Sequence, residues 1–269
     1  FCLYISITDL MLNQNLAIVK RLTDLNVYDK IIKNKFEGDF MGILIGIGGG
    51  RYSDNEVLPI FEHIVSLSEK KNPSVLFVPT AGFDDINGDE HIFRLFIGLG
   101  CSVSALFLTD KTLTKAEIEE KIFAADIVYA GGGNLKFLMD TWKETGADEV
   151  FRTAYEKGII LSGYSSGSMC WFAEGYDDCG EDHAFMFVDC LGILPFCNCP
   201  HYESDYWQSF NQAIKTRAIS GVAIDNGAAL VYDNGRYYTL HGNDGGEVSF
   251  FDCKRGYEKS HFDGEKELY

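Results

Sequence analysis

Basic residues are scarce in this sequence. Its 269 residues carry 23 Lys and Arg against 40 Asp and Glu, a formal net charge of −17 at pH 7. A chain so short of cations lacks the broad basic face that neutralises phosphates, which excludes nucleic acid and an anionic membrane as main partners. An anionic small molecule stays within reach, because one local Arg or a helix N-terminus can hold a carboxylate. Phe1–Ile7 is apolar but too short to span a bilayer, and no basic flank marks it as a signal peptide. There is no internal repeat, linker, low-complexity tract or C-x-x-C pair. The eight cysteines mostly stand singly inside apolar runs, as buried thiols do. A chain that is 46% apolar builds a core without disulfides, so a reducing, cytoplasmic compartment is expected.

A strand pattern begins only after Met41, and Phe1 is not an initiator. Residues 1–40 are therefore expected to form an N-terminal extension outside the core, with Met41 as a candidate start and 41–269 as a single domain. From Met41 onward, short apolar runs alternate with helical patterns. Gly42–Ile47, Val75–Val78, Val103–Leu108, Ile127–Ala130 and Ile159–Ser162 read as strands. Asn55–Lys70, Asp89–Leu99, a segment opened by the capping box Thr114/Glu117, Asn134–Trp142 and Ala147–Lys157 read as helices. This alternation predicts an α/β fold: a mostly parallel sheet with helices on both faces and its ligand site beyond the C-terminal strand ends. Val222–Ile224, Ala228–Tyr232, Arg236–Leu240 and Val248–Phe251, with Asn-Gly turns at Asn226–Gly227 and Asn234–Gly235, predict C-terminal hairpin strands on the sheet edge.

Gly163–Gly167 reads G-Y-S-S-G after a strand, and Ser168–Ala173 can open a helix. G-x-S-x-G in that context describes a nucleophile elbow: a tight turn lifts the serine, here Ser165, above the sheet, and its glycines let flanking segments approach. An ordinary Gly/Ser turn shares the pattern. Acyl transfer also needs donors for an oxyanion. The Ser166 N–H is one. The loop Ala130–Asn134 (A-G-G-G-N) offers Gly133 as the other, with Gly132 and Asn134 beside it. Neither this loop nor Gly46–Arg51 matches G-x-G-x-x-G or the P-loop. Among six histidines, His201 follows Pro200, whose fixed backbone suits a positioned base, and it leads His183 and His241. Cys197, Cys199 and His201, with Cys179, His183 and Cys190 upstream, are zinc-ligand types. Paired spacing is absent, however, and alternate strand residues share a face in any case. No metal or cofactor is expected.

G-G-G-N at 131–134, G-x-S-x-G at 163–167 and P-H-Y at 200–202 stand in the order and approximate spacing of the S51 serine peptidases, which the chain resembles. Phe77–Gly82 and Gly221–Leu230 also look like that family, which includes dipeptidase E and cyanophycinase. The resemblance implies a class I glutamine amidotransferase-like (flavodoxin-like) fold and peptide hydrolysis through an acyl-enzyme. It places the nucleophile at Ser165, the base at His201 and oxyanion donors at Gly133 and Ser166. The family commonly has an acid where this chain has Asn226. Asp225, Asn226 acting as Asn does in papain-like sites, and Asp178 remain open as the third member. Many members of the family prefer a bond that follows aspartate, so the resemblance implies dipeptidase E-like action on acidic Asp-X peptides, although Glu203–Gln212 has no Arg or Lys to read that aspartate and a strict Asp-X specificity is not expected. The expected partner is a small peptide, handled by a monomer or homodimer. Cyanophycinase-like hydrolysis of β-Asp-Arg material and a catalytically silent binding scaffold are the alternatives.

Overall fold

A computed structural model describes residues 41–52, 56–87 and 89–262. The expected extension, residues 1–40, lies outside them. Five strands are parallel: β1 (Leu44–Ile47), β2 (Ser74–Val78), β3 (Ser102–Ala105), β4 (Ile127–Ala130) and β5 (Ile160–Tyr164). Two more, β10 (Ala228–Asp233) and β11 (Arg236–His241), extend the β1 edge antiparallel. The order across this seven-stranded sheet is β11-β10-β1-β5-β4-β2-β3. Within it β3-β2-β4-β5 follows the 2-1-3-4 order of flavodoxin-like sheets, with β1 in the place of the fifth strand. Asn234 and Gly235, both at positive φ, make the two-residue turn of the β10–β11 hairpin.

Side chains alternate between the sheet's faces. Ile45 and Ile47 of β1, Val75 and Phe77 of β2, and Ile127 and Tyr129 of β4 share a core with α1 (Leu58–Ser66) and α2 (Glu90–Gly98). The opposite face meets a different layer. A Cβ on Gly46 would come within 2.6 Å of Ser168 Oγ and 3.1 Å of the Phe172 ring. On that side Trp142 of α4 (Leu135–Thr145) and Phe151 of α5 (Ala147–Glu156) pack their rings at an angle around the buried Trp171.

That layer holds a feature absent from the sequence reading, a second, six-stranded sheet. It contains β6 (Phe172–Asp177), β7 (Met186–Asp189), β8 (Leu194–Cys199), β9 (Gly221–Ile224), β12 (Val248–Asp252) and β13 (Glu258–His261), in the order β13-β12-β9-β8-β6-β7. Two expectations are corrected here. The helix expected from Ser168–Ala173 is a single turn, α6 (Ser166–Met169), and Phe172 already begins β6. Asn226–Gly227 is not a hairpin turn: β9 and β10 belong to different sheets, and these residues form the corner between them. A buried Glu174 interrupts the apolar pattern of β6; Arg217 neutralises it through Nε and Nη2.

The helix α3 (Lys115–Phe123) carries the capping box expected from sequence, with the Thr114 hydroxyl accepting from the Glu117 N–H and the Glu117 carboxylate accepting from the Thr114 N–H at 2.8 Å. Thr114→Ala should lower stability by about 1 kcal/mol. Urea unfolding is expected to show a lower midpoint at unchanged slope.

Candidate active site

Three consecutive carbonyls at the end of β1 gather the site. Ile47 O accepts from the Ser165 N–H at 3.0 Å, Gly48 O from the His201 N–H at 3.1 Å, and Gly49 O from the Gly227 N–H, next to Asn226, at 2.9 Å. Three segments remote in sequence are thereby pinned to one short stretch of backbone. Ser165 comes from the end of β5, His201 from the end of β8, and Asn226 from the end of β9.

Ser165 sits at φ 56° and ψ −119°, a conformation that an L-residue adopts only under constraint. The constraint is close approach. A Cβ on Gly163 would lie 1.9 Å from Gly167 O, and one on Gly167 would lie 2.1 Å from Ala130 O. Both glycines of G-x-S-x-G are therefore needed for the turn to pass under β4. The hydroxyl is half-buried and points at the imidazole, with Ser165 Oγ 2.9 Å from His201 Nε2. His201 also stands at positive φ, 52°. Trp207 and Tyr164 flank its ring, at centroid distances of 5.5 and 6.1 Å.

His201 Nδ1 lies 2.7 Å from Asn226 Oδ1. Of the three residues left open for this place, the geometry brings Asn226 to the ring and neither aspartate. Asp225 is engaged elsewhere. Its Oδ2 accepts from the Glu247 N–H at 3.1 Å, closing the β9–β12 pair, and burial holds its carboxyl above the usual range. Asp178 accepts from the Tyr206 hydroxyl at 3.0 Å and takes no part in the Ser165–His201 pair.

The glycine loop lies against Ser165. A Cβ on Gly132 would be 3.2 Å from Ser165 Cβ. Gly133 adopts φ 142°, and a Cβ there would lie 2.2 Å from Ala81 O, so only glycine fits. Among the described residues, none accepts a hydrogen bond from the N–H of Gly132, Gly133 or Ser166. The Ser166 hydroxyl donates to Gly133 O at 2.7 Å and ties the two loops together. Asn134, expected to meet substrate, instead caps α4: its Oδ1 accepts from the Phe137 N–H at 2.8 Å.

Two contributors escaped the sequence reading. A Cβ on Gly49 would lie 1.8 Å from Asn226 Oδ1 and 2.3 Å from His201 Nδ1, so the His–Asn contact exists only because this residue has no side chain. The run of three glycines after β1 was the available signal. The other is Glu203, whose carboxylate accepts from both the Asn226 N–H, at 2.8 Å, and Asn226 Nδ2. Cys197 and Cys199 are buried in an apolar cluster with Tyr202, Trp207 and Phe210, where burial pushes both thiols up. Among the described residues, no group of three or more His, Cys, Asp or Glu is arranged to hold a metal ion. A cavity of about 670 Å³ opens on the His201 side, bordered by Tyr164, Arg51 and the carboxylates of Glu56, Glu203, Asp225, Asp244 and Glu247.

The profile of peptidase family S51 matches residues 44–240. A Bacillus subtilis (strain 168) protein named Uncharacterized peptidase YgaJ is 33% identical over 199 residues, covering 72% of this chain and 85% of that protein. Uncharacterized peptidase Lmo0363 of Listeria monocytogenes serovar 1/2a is 27% identical over 175 residues, covering 61% of this chain and 82% of that protein. The crystal structure of a peptidase from an acI-B1 Actinobacterium superposes with a TM-score of 0.64 at 19% identity, a likeness of fold covering 86% of this chain and 98% of that one.

Asp177 anchors the glycine loop from behind. Its buried carboxylate accepts from the Leu135 N–H at 3.0 Å, at the start of α4. Burial raises its pKa from 3.8 to about 6. The folded state therefore holds this proton more tightly than the unfolded chain does. Its contribution to stability falls as pH rises from about 4 through about 6, then stays flat. Asp177→Asn keeps the acceptor and removes the charge. The melting temperature of the wild type should fall relative to Asp177→Asn across that window, by the equivalent of about 2 kcal/mol. Parallel pH profiles would refute the assignment.

Proposed function

The chain belongs to peptidase family S51 and is a serine-type peptidase; we propose that it cleaves short peptides through an acyl-enzyme on Ser165. One observation carries this reading: the continuous line from Ser165 Oγ through the His201 ring to Asn226 Oδ1, at 2.9 and 2.7 Å. Asn226 Oδ1 accepts from Nδ1–H, which leaves the Nε2 lone pair facing the serine. Ser165 Oγ attacks the peptide carbonyl carbon while Nε2 takes the hydroxyl proton. The carbonyl oxygen becomes an oxyanion that the N–H groups of Gly133 and Ser166 receive, with the Gly132 backbone alongside. The imidazolium then gives its proton to the leaving amine as the C–N bond breaks. Water, deprotonated by Nε2, attacks the ester and restores the serine.

The carboxylates around the cavity support a substrate that brings a positive group beside His201, such as a peptide amino terminus or a basic side chain. Arg51, the one Lys or Arg bordering it among the described residues, is already engaged at 3.5 Å by Glu56 and at 3.5 Å by Asp244. That surrounding disfavours an aspartate side chain and supports the β-Asp-Arg reading as a second possibility within the same chemistry. A dipeptide panel separates them: faster turnover of Asp-X peptides than of basic or β-linked Asp-Arg ones would reject the cationic preference.

A fluorophosphonate probe is expected to label the wild type and not Ser165→Ala. Absence of labelling and of hydrolysis would favour a silent binding scaffold. His201→Ala should lower kcat by roughly 10⁴-fold while the protein stays folded. Gly49→Ala should lower kcat by roughly 10²-fold by wedging His201 and Asn226 apart. Normal kcat in either variant would remove that residue from the mechanism.

A further inference from the structure

We propose that Glu203 is a positioning residue that acts through Asn226, setting which nitrogen of His201 carries the proton. The proposal rests on the reading of Ser165 and His201 given above. An asparagine amide has two ends of nearly equal shape, and its neighbours decide which way it points. One end of Asn226 faces His201 Nδ1 at 2.7 Å. The other faces Glu203, which accepts from the side-chain Nδ2 through Oε1 and from the backbone N–H through Oε2 at 2.8 Å. An ionised carboxylate has no proton to donate. The Nδ2 end must therefore lie on the Glu203 side. That leaves Oδ1 toward the ring, Oδ1 only accepts, and so Nδ1 holds the proton and Nε2 presents its lone pair to Ser165.

The reverse orientation would set Oδ1 against a carboxylate oxygen with no hydrogen between them. It would also aim an N–H at Nδ1, forcing the ring proton onto Nε2, where it points at the serine and the base is lost. The fold keeps the acid in register with the base. Glu203 lies two residues after His201 in a tight turn, where the Ser204 N–H donates to His201 O at 3.1 Å and the Tyr202 N–H donates to Ile224 O at 3.2 Å. The buried Tyr202 between them fastens the turn, its hydroxyl donating to Asn211 Oδ1 at 2.8 Å. The unit is an acid–amide pair, with the acid removed from the imidazole by one amide.

Exchanging the two functional groups tests this. Glu203→Gln frees the Asn226 amide to turn, because glutamine can donate to Oδ1. kcat should fall by roughly 10²- to 10⁴-fold, the range bounded above by a wrong-tautomer triad. The fall in kcat is the deciding readout: Glu203 also borders the cavity, and a purely ground-state binding role would move KM alone. Asn226→Asp sets two carboxylates face to face and should fall comparably. The double variant Glu203→Gln/Asn226→Asp rebuilds the pair in reverse, with the glutamine amide donating to the introduced carboxylate, and should recover to within about tenfold of wild type.

Unchanged kcat in Glu203→Gln, a change confined to KM, or a double variant no faster than its slower parent would overturn the proposal. The ¹⁵N shifts of the His201 ring decide the matter without turnover. The wild type should show protonated Nδ1 and bare Nε2, and Glu203→Gln a mixture or the reverse. The same single tautomer in both would overturn the proposal even with an inactive wild type, whereas loss of serine-probe labelling would fall on the reading of the site instead.

Discussion

The structure depends on the carbonyl ladder at the end of β1. Each of its three rungs takes an N–H from a different part of the chain: the elbow, the turn after β8 and the corner after β9. Backbone hydrogen bonds fix position without regard to side-chain identity. The site is thus assembled by backbone, and the side chains inherit their geometry from it. The Tyr164 hydroxyl adds a fourth tie, donating to Gly50 O at 2.8 Å. The second sheet explains why the ladder can exist. β8 and β9 are parallel neighbours whose ends arrive together at Gly48 and Gly49. The first sheet supplies Ser165, and the second supplies the imidazole and its partner.

This assembly stores strain. Ser165 and His201 both hold positive φ, at a cost of order 1–3 kcal/mol each. The same shell carries a buried Asp177 with its proton affinity raised. The offset is the packing around them. Gly163, Gly167 and Gly133 let backbones approach to distances that any side chain would forbid, and Trp207 and Tyr164 close on the imidazole. The turn holds the Ser165 hydroxyl 2.9 Å from His201 Nε2.

What was legible in the sequence was local. Thr114 and Glu117 announced a cap, Asn234–Gly235 a hairpin, and G-Y-S-S-G an elbow, because each is settled by neighbours within a few residues. The second sheet was hidden for a physical reason. β6 follows a single helical turn, and its buried Glu174 makes sense only beside Arg217, 43 positions on. Asn226–Gly227 has the composition of a hairpin turn, yet its flanking strands go to different sheets, a decision made by tertiary packing. The choice between Asp225 and Asn226 was equally beyond reach, since it turns on which of two adjacent side chains the corner after β9 brings to His201. Gly49 and Glu203 act only through contacts with residues more than twenty positions away.

An amide at 226 also suits the charge around it. Glu203 touches this residue, and Asp225, Glu247, Glu56 and Asp244 border the same cavity. Another carboxylate in contact with Glu203 would meet a like charge at hydrogen-bond distance, where one of the two is driven to take up a proton. A protonated acid offers the imidazole either a donor or an acceptor, according to where its proton sits. Asparagine is neutral and has one face of each kind. It accepts from the ring on one side and donates to the carboxylate on the other, so both contacts are satisfied at once. In a conventional triad the acid supplies charge and orientation together. Here Asn226 supplies orientation, and the charge stands one hydrogen bond further out, where the cavity is already anionic.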